Sequence, residues 1–143
     1  NTTSGFGIEK NELENTIYEL ILGDCSIHDC IIKDIIPKLS ILPSNVNLAA
    51  AEIELIGVQK KEFILKNEVD YIKDKYDYII IDCPPSLGLL NLNALCAADS
   101  VIIPVQCEYY AMEAVAQILS SISSLYKVCI LSGFSKSDAI SAI

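Results

Sequence analysis

A chain of 143 residues is one ordinary domain, long enough to bury a core of its own. Apolar residues at 52% and charged residues at 20% exclude a disordered segment; the longest uncharged stretch, Cys83 to Ala98, is broken by two prolines, a glycine and two asparagines, and is too short to span a membrane. The net charge is −9 and all ten basic residues are Lys, so there is no basic stripe for nucleic acid and no guanidinium fork to read guanine, clamp phosphate or act as an arginine finger. No DNA binding is expected of this chain by itself.

In chain order, Asn11-Glu12-Leu13-Glu14 has the pattern of a capping box, and Leu13, Ile17, Leu20 and Ile21 recur at helical spacing up to Gly23. This predicts a helix over 11–22 with Gly23 at its end. Residues 24–38 fit either a short strand or a short helix. Leu39-Ser40-Ile41-Leu42, bracketed by Pro37 and Pro43, predicts a short strand. Residues 48–57, rich in Ala, Glu and Leu, predict a helix, and Leu65, Val69, Ile72 and Tyr76 mark one face of another from about Lys60 to Lys75.

The period then changes. Tyr78-Ile79-Ile80-Ile81 is a continuous run ending in Asp82, and Ser100 to Val105 is a second. Runs without alternation predict strands buried on both faces, as in a parallel sheet. Between them, Ser86 is a candidate cap for a helix reaching about Ala97. Met112, Val115, Leu119, Ile122 and Tyr126 predict a long helix after the second run, and 127–131 a further strand. Alternating strands and helices predict an α/β domain, a mostly parallel sheet with helices on both faces. Ligands in such sheets lie beyond the carboxyl ends of the strands.

That rule singles out Asp82 and Glu108. A carboxylate ending an apolar strand stands on a rigid platform, where it can hold a magnesium ion through water; the plain alternative is a cap on the turn before Pro84. Glu108 follows the second run and is either a ligand-edge carboxylate or a solvated loop residue. The six cysteines contain no C-x-x-C, and the close pair Cys25 and Cys30 has no matching second pair. Reduced structural thiols in a cytosolic protein are expected, not a zinc or iron–sulfur site. Cys83 is a poor nucleophile candidate, because the neighbouring Asp82 raises its pKa. His28, the only His, has no evident partner in the sequence. No G-x-x-x-x-G-K-[ST] and no G-x-G-x-x-G occurs, so the backbone cradle and Lys that bind phosphates are not in this chain.

The stretch Tyr76-Asp-Tyr-Ile-Ile-Ile-Asp-Cys-Pro-Pro-Ser-Leu-Gly88 resembles the Walker B and switch II region of ParA/Soj chromosome-partitioning ATPases. Asn93-Ala94-Leu95, the run from Asp99 to Glu113, Leu48 to Leu55 and the opening Asn1 to Gly7 continue the resemblance in order. It covers about residues 1–125; residues 126–143 are unmatched. The resemblance implies a P-loop NTPase-like fold of the deviant Walker A class, with Mg2+ and ATP as ligands. It implies a self-dimer, non-specific DNA and a ParB-type protein as partners, and a cytoplasmic, nucleoid-associated location in the service of chromosome or plasmid segregation. Residue by residue, Asp82 matches the catalytic, metal-holding Walker B Asp. Cys83, Pro84, Pro85 and Ser86 match switch II, which senses the terminal phosphate, and Glu108 matches a position near the nucleotide of a dimer partner.

In this family the P-loop and an Asp-Pro-Gln stretch precede the position of Asn1, and the adenine-contacting loop and basic DNA-binding residues follow the matched region. The chain therefore reads as a single incomplete domain, 1–143, from the centre of such a protein, expected to be marginally stable and to bind ATP poorly by itself. A truncated, non-catalytic interaction module or gene remnant is the alternative. Relatives of the MinD type add a C-terminal amphipathic membrane helix, a pattern Ser132 to Ile143 lacks, so no membrane partner is expected.

Overall fold

A computed structural model describes residues 2–84, 88–103, 115–116, 119–120 and 122–123. Short helices α1 (Thr2–Gly5), α2 (Ile17–Leu22) and α3 (Ile27–Cys30) lead into strands β1 (Ile32–Ile36) and β2 (Leu39–Ile41). Helices α4 (Ala51–Glu54), α5 (Ile64–Asp70) and α6 (Leu89–Ala97) follow. The single hydrogen-bonded ladder among the described residues is the antiparallel pair β1–β2, with Ile32 opposite Ile41 and Ile36 opposite Leu39.

Helix α2 begins at Ile17, not near Asn11. A second capping box, Thr16-Ile17-Tyr18-Glu19, wins that position. The Thr16 hydroxyl accepts from the Tyr18 amide at 3.2 Å, while the Thr16 amide and hydroxyl donate to Glu19 Oε2 at 2.8 and 2.7 Å. Residues 10–12 form only a 3-10 turn. Gly23 ends the helix as expected, at φ 85°, with Gly23 N bonded to Leu20 O and Asp24 N to Glu19 O. Ser26 and Asp29 repeat the box at α3, with the Ser26 hydroxyl donating to Asp29 Oδ2 at 2.6 Å.

The strand expected over 39–42 is β2, and the ambiguous 24–38 holds both a helix, α3, and a strand, β1. The helix expected over 48–57 is split into a 3-10 turn over Val46–Ala50 and then α4. The one expected over 60–75 is α5 flanked by 3-10 turns, Lys61–Phe63 and Lys73–Lys75. Its apolar face is nevertheless the predicted one: Leu65 and Ile72 are buried, and Ile72 packs with Leu20, Ile27 and Cys30. A second cluster joins Ile21, Ala51 and Leu55, with Leu89 and Leu90 of α6 against it. Phe63 and Cys96 make a third, between the α5 entry and α6.

The two apolar runs depart most from expectation. Tyr78 is 87% exposed, Ile80 92% and Ile102 90%, and neither run pairs in a ladder among the described residues. The composition suits a central strand, but burial on both faces needs neighbouring strands and covering helices. The one ladder described is used up between β1 and β2. The strand expected over 127–131 and most of the long helix before it lie outside the described residues, although residues 115–116, 119–120 and 122–123 are helical.

Asn93 joins the last two helices. It is fully buried at 0% exposure, and its Oδ1 accepts from the Leu65 amide at 3.0 Å, inside the first turn of α5. Its Nδ2 donates to Lys61 O at 2.9 Å and to Leu89 O at 3.1 Å. Replacing it by Ala strands the buried Leu65 amide. Asn93→Ala is expected to cost about 2–3 kcal/mol in a urea melt, against under about 0.5 kcal/mol for an exposed control such as Asn67→Ala.

The two capping boxes titrate. At Glu19 the hydrogen bonds from Thr16 outweigh the opposing, individually largest effect of burial and hold the carboxyl below its usual value; at Asp29 the Ser26 hydroxyl and amide do the same. Both groups are depressed in the folded chain. Their contribution is therefore complete above the unfolded carboxylate range and is lost as pH falls through the folded value. Between about pH 5 and pH 2, the Thr16→Val/Ser26→Ala chain should lose less stability per pH unit than the parent, measured by urea midpoints.

Candidate functional site

Asp82 ends the apolar run at 78–82, which forms no strand among the described residues, and Asp82 is exposed to solvent. It is held from the far end of the sequence, since the Thr2 hydroxyl donates to Asp82 Oδ2 at 2.7 Å. Thr2 is itself placed by its neighbour: Thr3 is buried, and its hydroxyl accepts from the Ser44 amide at 3.0 Å. Ile17 N bonds Pro43 O at 2.9 Å, so the exit of β2 anchors both α1 and α2. The opening Thr2-Thr3 pair thus ties the β2 exit to the end of the Asp82 segment.

The segment after Asp82 is held by α6. Asn91 Nδ2 donates to Pro84 O at 2.8 Å. Cys83 is exposed in area, yet its thiol is pushed up, first by partial dehydration of the sulfur and then by the Asp82 charge. That agrees with its exclusion as a nucleophile. Pro85, Ser86 and Glu108 lie outside the described residues. The structure therefore brings Asp82, Cys83 and Pro84 together on one held segment with Thr2 and Asn91. Neither partner was singled out by sequence. Thr2 sits in the opening motif but carries no signal of its own, and Asn91 is simply the polar residue one turn into α6. His28 is exposed, with Lys75 Nζ at 3.4 Å from its Nε2, which fits a surface role.

The start of α6 has an unusual cap. Its N-cap residue, Gly88, offers no side chain, and the Glu52 carboxylate reaches over from α4 to accept from the Leu90 amide at 3.3 Å. A carboxylate at a helix N-terminus is favoured by the exposed amides and the helix dipole. A Cβ at Gly88 would collide with that carboxylate.

An exposed carboxylate is a ligand type that suits magnesium, which keeps most of its waters and takes few protein ligands beside substrate phosphates. Among the described residues no group of three or more His, Cys, Asp or Glu could cage a metal. No helix among the described residues is long and apolar enough to cross a membrane.

A family described as an AAA domain matches residues 1–132. The sporulation initiation inhibitor protein Soj of Bacillus subtilis is 48% identical over 127 residues, which is 89% of this chain and 50% of that protein. The chromosome partitioning protein ParA of Myxococcus xanthus is 47% identical over 122 residues, 85% of this chain and 43% of its own length. Among solved structures, cobyrinic acid a,c-diamide synthase from Mycobacterium smegmatis, with bound ATP analog and magnesium, superimposes with a TM-score of 0.81 at 37% identity. It covers 88% of this chain and 51% of that one. The chain spans about half the length of the relatives it matches. The likeness shows the expected α/β fold class.

The Glu52 cap predicts a sign reversal. Ala for Gly is ordinarily stabilising where the backbone angles suit it, and Gly88 has φ −79°. In the parent chain, Gly88→Ala should instead cost about 1 kcal/mol by displacing the Glu52 carboxylate. In a Glu52→Ala chain the same change should be neutral or stabilising. A double-mutant cycle of urea melts measures this coupling.

Proposed function

Since the chain belongs to the ParA/Soj family of partitioning ATPases, with a P-loop NTPase-like α/β fold, we propose that it supplies the magnesium-holding and phosphate-sensing part of an ATPase that segregates chromosomes or plasmids. The observation that carries this reading is the position of Asp82. It is an exposed carboxylate at the end of an apolar segment, oriented by Thr2 on one side and followed by a backbone that Asn91 holds. The partitioning protein and the diamide synthase named above differ in what they act on. Only the diamide synthase is named with a bound ATP analog and magnesium.

In the proposed site Asp82 holds Mg2+ through water. A metal held there would supply positive charge against that developing on the phosphates. Thr2 fixes the Asp82 carboxylate by donating to Oδ2. Cys83, Pro84, Pro85 and Ser86 form the loop whose backbone responds to the terminal phosphate, and Glu108 lies near the nucleotide of a second subunit. The 143 residues act as one incomplete domain. The intact protein would be cytoplasmic, associate with the nucleoid through non-specific DNA contacts, dimerise on ATP and respond to a ParB-type partner. On this reading the DNA-binding surface lies elsewhere in that protein, since a charge of −9 is unfavourable for phosphate contacts.

Two measurements test the reading. The 143-residue chain is expected to show no micromolar binding of Mg-ATP by calorimetry, because it has no phosphate-binding glycine loop. Micromolar binding that Asp82→Ala abolishes would overturn the proposal that the site is completed from outside these residues. The codons upstream of Asn1 are expected to encode, in frame, a Lys- and Gly-rich loop and an Asp-Pro-Gln stretch. A stop codon there removes the ATPase reading of this product. The second reading then stands, in which the apolar segments around Ile80 and Ile102 pair with an intact homologue. Co-purification with that homologue, without ATPase activity of its own, is its signature.

A further inference from the structure

Cys25 and Cys30 flank α3, the former just before its cap residue and the latter at its last position. Their sulfurs lie 3.1 Å apart. A disulfide needs about 2.05 Å, so the two atoms are within about 1 Å of bonding distance. Their placement is set by the fold. The Ser26–Asp29 box fixes the start of the turn. Cys30 is buried against Leu20, Ile27 and Ile72, and its thiol lies 3.5 Å from Thr16 O and 3.4 Å from Ser26 O. Cys25 is half-buried at the edge of the same cluster. No part of the proposed nucleotide site uses either residue.

We propose that Cys25 and Cys30 are a redox couple that closes reversibly to an intramolecular disulfide when the chain meets a low-molecular-weight disulfide of the glutathione class. The exposure difference sets the order of steps. Cys25, as thiolate, attacks one sulfur of the small disulfide; that S–S bond breaks, one small thiolate leaves, and a mixed disulfide forms on Cys25. Cys30 then gives its proton to water, its sulfur attacks Cys25 Sγ, and the second small thiolate leaves. Two protein thiols are oxidised, one small disulfide is reduced to two thiols, and the two protons end on those thiols.

Cys30 is suited to the second step only. Its thiol is pushed up to about 12, by burial first, then by the hydrogen bond and charge of Cys25 and by the negative charges of Asp29 and Glu19. In bulk contact it is a poor thiolate; beside a mixed disulfide already 3.1 Å away it needs only a rare deprotonation. The loop that closes is short, so the bond removes little chain entropy and stays easy to reduce.

The test uses the full chain. Trypsin cuts after Lys10 and Lys33, so one peptide, 11–33, carries both cysteines and no other. The chain is treated with oxidised glutathione in native buffer, quenched with N-ethylmaleimide, digested and weighed. The expected peptide has lost two hydrogens and takes no maleimide, and dithiothreitol restores both labels. Circular dichroism is expected to stay unchanged. Cys30→Ser should accumulate one glutathione on Cys25, whereas Cys25→Ser should leave Cys30 unmodified. The proposal is overturned if peptide 11–33 takes two maleimides after oxidant. It is overturned equally if both cysteines carry glutathione, or if the ring closes only after urea has unfolded the chain.

Discussion

A buried carboxamide can make four hydrogen bonds, and burying it without them is costly. Asn93 makes three, and together they tie the start of α5 to α6. Oδ1 takes the Leu65 amide in the first turn of α5, and Nδ2 reaches Lys61 O in the turn before that helix and Leu89 O in its own. Helix α5 starts after a 3-10 turn with no side-chain cap of its own. Its start is therefore specified by a residue 28 positions later. Helix α6 in turn borrows its cap from Glu52 of α4. Two helices capped by side chains from other elements hold one another in register, so neither can shift without exposing an amide. The same α6 holds Pro84 O through Asn91. The rigidity of the segment behind Asp82 descends from that network.

Such borrowed caps explain where sequence reading succeeded and failed. Local signals were legible. Gly23 ended α2, β2 fell between its prolines, and Leu65 and Ile72 pointed inward. The error at Asn11 was a choice between two capping boxes five residues apart; Thr16 prevailed because the chain is also pinned there, by Ile17 N to Pro43 O. The splitting of the expected helices at 48–57 and 60–75 into α-helix and 3-10 turns was not legible in their periodicity; Gly57 at φ 90° and Lys60 at φ 55° break the path between the two. No periodicity announces that Glu52 and Asn93 cap helices remote in sequence.

At the site, Asp82 was legible because a lone carboxylate ending an apolar run is a local pattern. Its orientation was not, because Thr2 lies 80 residues away. Cys83 followed from simple electrostatics, although dehydration of its sulfur outranks the Asp82 charge. The ParA/Soj resemblance rested on segments agreeing in order, and the match over residues 1–132 extends somewhat past the expected limit near residue 125.

The exposed apolar runs join these strands of argument. Amides at the starts of α5 and α6 are satisfied by caps borrowed across the fold. Ile80 and Ile102 stand exposed beside half-buried Ile81, Val101 and Ile103, although their sequence is that of a central strand. A sequence evolves toward four consecutive β-branched or aromatic residues only where both faces are hidden. On the reading proposed above, the cover comes from the half of the fold that this chain does not match. The same half would bring the phosphate loop to Asp82. Burial of the runs and completion of the nucleotide site are then one event: whatever strand covers Ile80 also sets the phosphate-binding backbone beside the carboxylate. A partner that covers the run without such a loop would stabilise the chain and leave it without nucleotide, and thermal stability and ATP affinity would separate.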